Sequence, residues 1–283
     1  MQNNTMNKKA PPLSKICDAA ILSAKAAGKV LMHHFDKKLK ISEKPGAGLV
    51  TNADFEAQNA AVKLLRKKFP DFGFLTEETM EKGTPQGQKG SQKGRWIIDP
   101  LDGTTNYVHR FPMFCVSIAA EWEGEIVVGV IYHPVLKDLY VAVRGKGAKL
   151  NGRRIQVSKT TDLGNSLLTT GFTYRKDNSG TESQKEFLHS EMTAFEKLSG
   201  MTRAIRRPGS AALDLAYTAR GVFDGFWERK LSAWDVAAGG LLVQEAGGQV
   251  SDFRGGPFRI DAGEILASNG PLHQSLLKEI SIK

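Results

Sequence analysis

Four short segments gather side chains able to do chemistry: TNAD (51–54), TEE (76–78), DPLDGTT (99–105) and AWD (233–235). The second and third follow apolar, strand-like stretches, so their acids stand where strands end. Carboxylates brought together away from water are unfavourable unless a cation neutralises them. Asp99 and Asp102 are three residues apart, and Pro100 restricts the backbone between them. Gly103 permits a sharp turn, and Thr104 and Thr105 fit the first turn of a helix beginning TTNYVH. A helix start offers backbone amides to phosphate. Paired carboxylates beside it suit a hard, oxygen-loving ion such as Mg²⁺. The combination points to metal-assisted transfer of a phosphoryl group to water. Read alone, DPLDGTT is also an Asp-rich turn with a helix cap; the acids of the other segments favour the metal-site reading.

These acids need elements to position them. Ile16, Ala19, Ala20, Ile21, Ala24, Ala27 and Val30 recur at helical spacing and predict a helix over 14–35. Residues 37–50, with KPGAG, read as a turn or flexible loop. Asp54 opens a second helix whose apolar face is Phe55, Ala57, Ala61, Leu64, Leu65 and Phe69, stopped by Pro70. GFLTEET is a short strand. Residues 81–95 contain no hydrophobic side chain and read as a mobile surface loop or lid. WIID (96–99), 113–121, 126–133, 139–143 and 148–157 read as strands of an antiparallel sheet, with turns at Lys137-Asp138, Gly145 and Asn151-Gly152. Beyond a compositional change near 158–165, strands at 166–171, 203–206, 222–227, 249–252 and 264–268 alternate with helices at 181–199, 210–221, 235–247 and 271–281. That order predicts α/β layering. The expected organisation is a tail (1–12), an α+β domain (13–160) with the antiparallel sheet and most of the acids, and an α/β domain (161–283).

Composition narrows the class. The chain has 283 residues, 41% hydrophobic and 24% charged, which excludes collagen-like, disulfide-scaffold and wholly disordered chains. No apolar run approaches the roughly 20 residues needed to span a bilayer, and the start lacks a secretory apolar region. Cys17 and Cys115 form no framework, and Cys115 reads as a buried thiol, so a reducing, cytoplasmic setting is expected. Net charge is +9, and residues 1–50 carry nine Lys against three acids. The plain reading is a solvated surface; a basic face also attracts phosphorylated ligands or RNA.

LVTNAD (49–54), EE (77–78), WIIDPLDGTTNYVHRFP (96–112), GSAALDLA (209–216) and WDVAAGGLLVQEAGG (234–248) resemble, in order and approximate spacing, the inositol monophosphatase family of magnesium-dependent, lithium-inhibited phosphatases. The resemblance covers roughly residues 14–280. It implies a layered αβαβα sandwich and a homodimer. It implies that Glu77, Asp99 and the Leu101 carbonyl hold one metal, that Asp99, Asp102 and Asp235 hold a second, and that Glu77 shares a third, weaker ion with water. Two or three Mg²⁺ ions are thus expected, with Ca²⁺ or Mn²⁺ as other occupants and Li⁺ as inhibitor. Asp54 matches the acid that pairs with Thr104.

The implied roles also make physical sense. Glu77 and Thr104 would orient a water whose pKa the metal lowers. Asp54 would accept the Thr104 hydroxyl proton, leaving that oxygen to accept from the water; a plain helix cap is its other reading. The Gly103 and Thr104 amides would cradle phosphate, and water would attack in line without a phosphoenzyme. Asp235 begins a helix and is also a candidate cap. Trp234 and His109 read as structural support, and Phe172 and Tyr174 as packing. Gly209, Ser210 and Ala211 match the family's substrate-bordering segment. Glu228 matches the acid that grips inositol hydroxyls, and a solvated Glu or an ion pair with Arg229 or Lys230 is the alternative. Arg206 and Arg207 are open between partner subunit and substrate.

The expected activity is hydrolysis of a small phosphate monoester, inositol monophosphate by default. Fructose 1,6-bisphosphate, NADP, histidinol phosphate and 3′-phosphoadenosine nucleotides are the alternative substrates. RRPGSAALDLAY resembles a bacterial branch whose members partner RNA or transcription complexes, which gives a second class of function.

Overall fold

The structure, a computed structural model, describes residues 11–44, 48–78, 93–172 and 182–280. In chain order the elements are α1 (Leu13–His34), β1 (Ile41–Lys44), β2 (Gly48–Thr51), α2 (Asn52–Lys68), β3 (Gly73–Thr76), β4 (Gly94–Asp102), α3 (Thr104–Val108) and β5 (Cys115–Trp122). Then come β6 (Glu125–His133), β7 (Asp138–Val143), β8 (Gly147–Leu150), β9 (Arg153–Arg154), β10 (Leu167–Thr170), α4 (Glu182–Met201) and β11 (Ala204–Arg206). The chain closes with α5 (Ala211–Ala219), β12 (Gly225–Arg229), α6 (Ala233–Glu245), β13 (Gln249–Ser251), β14 (Glu264–Ser268) and α7 (His273–Ile280).

Two main sheets result. A seven-stranded sheet runs β3-β4-β5-β6-β7-β8-β9, and a five-stranded sheet runs β11-β10-β12-β14-β13. Strands β3 and β4 pair in parallel; the rest of the larger sheet is antiparallel. Its strands alternate side chains between two cores, as the pleat requires. On β4, Trp96 and Ile98 point into a core with α1 and α2, while Ile97 points into a second core with α5 and α6. Small residues let α1 and α2 approach closely: Ala19, Ala20, Ala24 and Ala27 on one, and Ala53, Ala57 and Ala61 on the other, are all fully buried. Every residue of α6 from Val236 to Val243 is buried, as expected of a helix sandwiched between two sheets. A third core joins the smaller sheet to α4 and α7. The layers are therefore α1–α2, large sheet, α5–α6, small sheet and α4–α7: the αβαβα sandwich expected from the resemblance.

Several expectations are corrected. Residues 41–44 and 48–50, read as part of a loop, form with Thr51 the antiparallel pair β1–β2. Gly94 and Arg95, assigned to the polar loop, begin β4, which also runs past the expected end at 99 to Asp102, and residues 81–92 of that loop lie outside the described residues. The single strand expected at 148–157 is two short strands, β8 and β9. Glu228 lies on β12, which extends beyond the expected end at 227. Neither Asp54 nor Asp235 opens its helix: Thr51 and Ser232 are the caps, and each acid occupies the third helical position of a capping box. Tyr174 lies outside the described residues. Among the described residues, no helix is long and apolar enough to cross a membrane.

Candidate metal and phosphate site

Two acids three residues apart on a regular strand would face opposite sides of the sheet. Here the β4–β5 register pairs Asp99 with Ser117 but Asp102 with Cys115, so three steps on β4 match two on β5. This bulge turns both carboxylates toward the layer of α5 and α6. Asp99 shares its face with Ile97. Glu77 follows β3, donates its N–H to the Ile98 carbonyl at 3.1 Å, and continues the Leu75 face toward the same layer. From the opposite side α6 presents Asp235. The three aspartates Asp99, Asp102 and Asp235 each offer an oxygen within 4.8 Å of the others.

Each acid is braced by backbone donors. Leu101 donates its N–H to Asp99 Oδ1 at 2.9 Å. Asp102 Oδ2 accepts from Ser210 Oγ at 2.6 Å and from the Ala212 N–H at 2.8 Å, so the N-terminus of α5 is tied to it. Ser232 donates its N–H to Asp235 Oδ2 at 2.6 Å. Two helix starts therefore place positive dipole ends beside the cluster. They do not balance it. Burial pushes the Asp99 carboxyl well above the usual range, with Glu77, Asp102 and Asp235 adding to the effect. Burial also lifts Asp102 to about 6, against the opposing Ser210 and Ala212 hydrogen bonds. Burial, then Asp102, lifts Asp235 to about 8. Glu77 stands outside the tight triad, yet its charge acts on all three members. Buried, all-oxygen and short of positive charge, this donor set fits hard divalent cations.

Gly103 makes the turn from β4 into α3 at φ 92°, a left-handed conformation, and a Cβ there would lie 2.8 Å from the Met113 carbonyl oxygen. Thr104 follows. Its hydroxyl lies 3.3 Å from Asp54 Oδ1 and 3.0 Å from the Leu101 carbonyl oxygen, so one proton serves two acceptors. The Thr51 N–H and hydroxyl hold the other Asp54 oxygen, at 2.8 and 2.6 Å. Asp54 is thus both a capping-box acid and the partner of Thr104. Asn106 spans to the 208–209 turn, donating from Nδ2 to the Met113 and Pro208 carbonyls at 2.7 and 2.8 Å. That bond places Gly209 and Ser210 beside α3.

Glu228 lies on β12 near the cluster. Burial raises its carboxyl strongly, Asp235 and Asp102 add to this, and Arg207 opposes it. The Arg207 guanidinium sits 5.0 Å from the centre of the Phe172 ring. His109 is exposed and caps α3, while the Trp234 carbonyl accepts from Ser117 Oγ at 3.1 Å. Cys115 is buried, and its Sγ lies 3.8 Å from Asp102 Oδ2.

Sequence reasoning missed Asp214. It is 1% exposed on α5, and its Oδ1 is buried without a hydrogen-bond partner. Burial raises its carboxyl, with Glu228 and Asp102 next in strength, so it lies beneath both. The available signal was one acid inside the apolar run AALDLA. Glu191 on α4 was also missed; it sits in a polar helix, where nothing marks one acid out.

A layered αβαβα fold in which carboxylates from β4 and α6 meet beside two helix starts suits a metal-dependent phosphatase. Residues 13–282 match the model of the inositol monophosphatase family, and the chain belongs to that family. It is similar to the Nus factor SuhB of Pseudomonas aeruginosa, 40% identical over 270 residues, covering 95% of this chain and 96% of the relative. It is also similar to an inositol-1-monophosphatase of Mesorhizobium japonicum, 41% identical over 269 residues, covering 94% and 96%. Among solved structures, the extragenic suppressor protein suhB of Bartonella henselae superposes with a TM-score of 0.84 at 38% identity, covering 94% of this chain and 98% of that one.

Proposed function

We propose that this chain hydrolyses a small phosphorylated polyol, inositol monophosphate by default, with Mg²⁺. The observation that carries the reading is the approach of Asp99, Asp102 and Asp235 to within 4.8 Å beside two helix starts. Glu77, Asp99 and the Leu101 carbonyl would hold one ion, and Asp99, Asp102 and Asp235 another. Bound there, the cations would neutralise the acids, polarise the phosphate and make water a better nucleophile at neutral pH.

The chain's own groups supply positioning. When the Thr104 hydroxyl donates to Asp54, its oxygen is left to accept a hydrogen bond from the attacking water, and Glu77 accepts another from it, so the two orient the water and Glu77 can take the one proton it loses. The Gly103 and Thr104 amides receive the phosphate oxygens. Water attacks phosphorus in line with the departing alkoxide, which takes its proton from solvent. Glu228 accepts hydroxyls of the leaving group, and Gly209, Ser210 and Ala211 border it. The close acids, rather than a covalent phosphoenzyme, carry the catalysis.

The test is phosphate release with Mg²⁺ from inositol 1-phosphate, glycerol 2-phosphate, fructose 1,6-bisphosphate, histidinol phosphate, NADP and 3′-phosphoadenosine 5′-phosphate. Inositol 1-phosphate should rank at or near the top, and EDTA should abolish turnover. A clear win for another ester overturns the substrate assignment, and no release from any ester overturns the whole reading. Li⁺ inhibition and a homodimer belong to the same proposal.

A second role, as a transcription-complex partner, is favoured by the relatives named Nus factor SuhB at about 40% identity. An Asp99→Asn protein that loses phosphatase activity yet still captures RNA or polymerase factors supports it; no capture by either form refutes it.

A further inference from the structure

Gly171 follows β10 and stands beside Glu228. The parallel register pairs Thr169 with Phe226 and Thr170 with Trp227, so the next step on each strand sets Gly171 against Glu228. A Cβ at position 171 would lie 2.1 Å from Glu228 Oε1, 2.2 Å from Cδ and 2.3 Å from Oε2. Non-bonded contact needs about 3.5 Å. The whole Glu228 carboxyl thus fills the space that any side chain at 171 would take. Glu191 of α4 is 8% exposed. With Gly171, Phe172 and Glu228 it walls a cavity of about 10 Å³. That is about the space one water needs. A water there can donate one proton to each carboxylate.

We propose that Gly171 and Glu191 are positioning residues for Glu228 and so set which leaving group is accepted. Gly171 leaves the carboxyl room to lie in one orientation, and Glu191 holds it there through a water in the shared cavity. The inference rests on reading Glu228 as the acceptor of leaving-group hydroxyls. Gly171→Ala forces the end of a flexible side chain to swing away, so it changes orientation more than stability. A polyol ester senses that change; an aryl phosphate without hydroxyls does not.

The experiment compares kinetics on inositol 1-phosphate and p-nitrophenyl phosphate for wild type, Gly171→Ala, Glu191→Ala, Glu191→Gln and Glu228→Gln, together with crystal structures of wild type and Gly171→Ala. Gly171→Ala should raise KM for inositol 1-phosphate about 10-fold while turnover of the aryl ester stays within about 2-fold. Glu228 should adopt a different rotamer in that crystal. Glu191→Ala should raise KM about 3-fold, and Glu191→Gln, which still accepts from water, should restore most of it. Should Gly171→Ala fail to fold, the Glu191 pair decides alone. Equal losses on both esters, an unmoved Glu228, or wild-type KM in Gly171→Ala and Glu191→Ala overturns the positioning roles. If Glu228→Gln also leaves KM unchanged, it is the reading of Glu228 that has failed; if Glu228→Gln alone raises KM, only the positioning roles fall.

Discussion

Two buried polar clusters in this molecule behave in opposite ways. Around His273, both ring nitrogens find hydroxyls: Nε2 meets Ser251 Oγ at 2.9 Å and Nδ1 meets Ser268 Oγ at 2.8 Å. Burial holds this imidazole neutral, its pKa lowered to about 4, and the cluster closes on itself to bind α7 to β13 and β14. Around Asp99, three aspartates converge with Glu77 nearby, and burial drives the carboxyls of Asp99, Asp102 and Asp235 upward instead. The first cluster is satisfied by the protein. The second is the one whose donor set suits a cation. A buried group that the fold leaves unbalanced marks function, whereas one that it balances marks structure.

That contrast can be broken most forcefully at Asp99. Asp99→Asn should lower phosphate release by about 10³-fold or more, since cation-mediated stabilisation is worth several kcal/mol. The same variant should melt no lower than wild type in EDTA, because a neutral amide replaces a buried carboxyl whose charged form burial and the neighbouring acids disfavour. A large drop in Tm without metal would show the acids to be structural instead. At the other cluster, His273→Ala should cost about 2–4 kcal/mol by removing two buried hydrogen bonds and opening a cavity. Phosphate release per folded molecule should persist, as checked by denaturant titration and kinetics on the same sample.

Smaller effects sharpen the comparison. Ser210→Ala removes the N-cap of α5 and one donor to Asp102. Stability should fall by about 1 kcal/mol, and Mg²⁺ affinity about 10-fold by titration calorimetry. pH should act more gently. Asp102, near 6, and Asp235, near 8, hold protons above the usual carboxylate range when no cation is bound. Protonation therefore supports the metal-free fold at low pH, and that support is lost as pH rises through about 6 to 8. Cations take the place of those protons, so the rise in Tm caused by Mg²⁺ should grow between ~pH 5.5 and ~pH 8.5. A rise that shrinks over that range would contradict the assignment of these acids.

Much of the site was legible because its motifs are short and chemically explicit. TNAD, EE, DPLDGTT and AWD lie at or next to strand ends and helix starts, though β4 runs on through DPLD to Asp102 and the helix caps are Thr51 and Ser232 rather than the acids; α1, α6 and most strands follow from apolar spacing. What escaped was long-range. The β4–β5 bulge that turns Asp102 to the side of Asp99 depends on register with Cys115 and Ser117, which no local pattern encodes. The socket at Gly171 arises from parallel pairing with a strand more than fifty residues away. Asp214 is visible only once α5 is known to be buried all round. The β1–β2 pair was hidden because KPGAG, rich in turn residues, masked two short strands flanking it.

The account stands on the acids sharing cations. Crystals soaked in Mn²⁺ and examined by anomalous scattering test this most directly. The expected result is density at about 2.0–2.4 Å from carboxylate oxygens of Asp99, Asp102 and Asp235, reduced in Asp102→Asn. Density confined to other surfaces, with the three aspartates empty at saturating Mn²⁺, would contradict it.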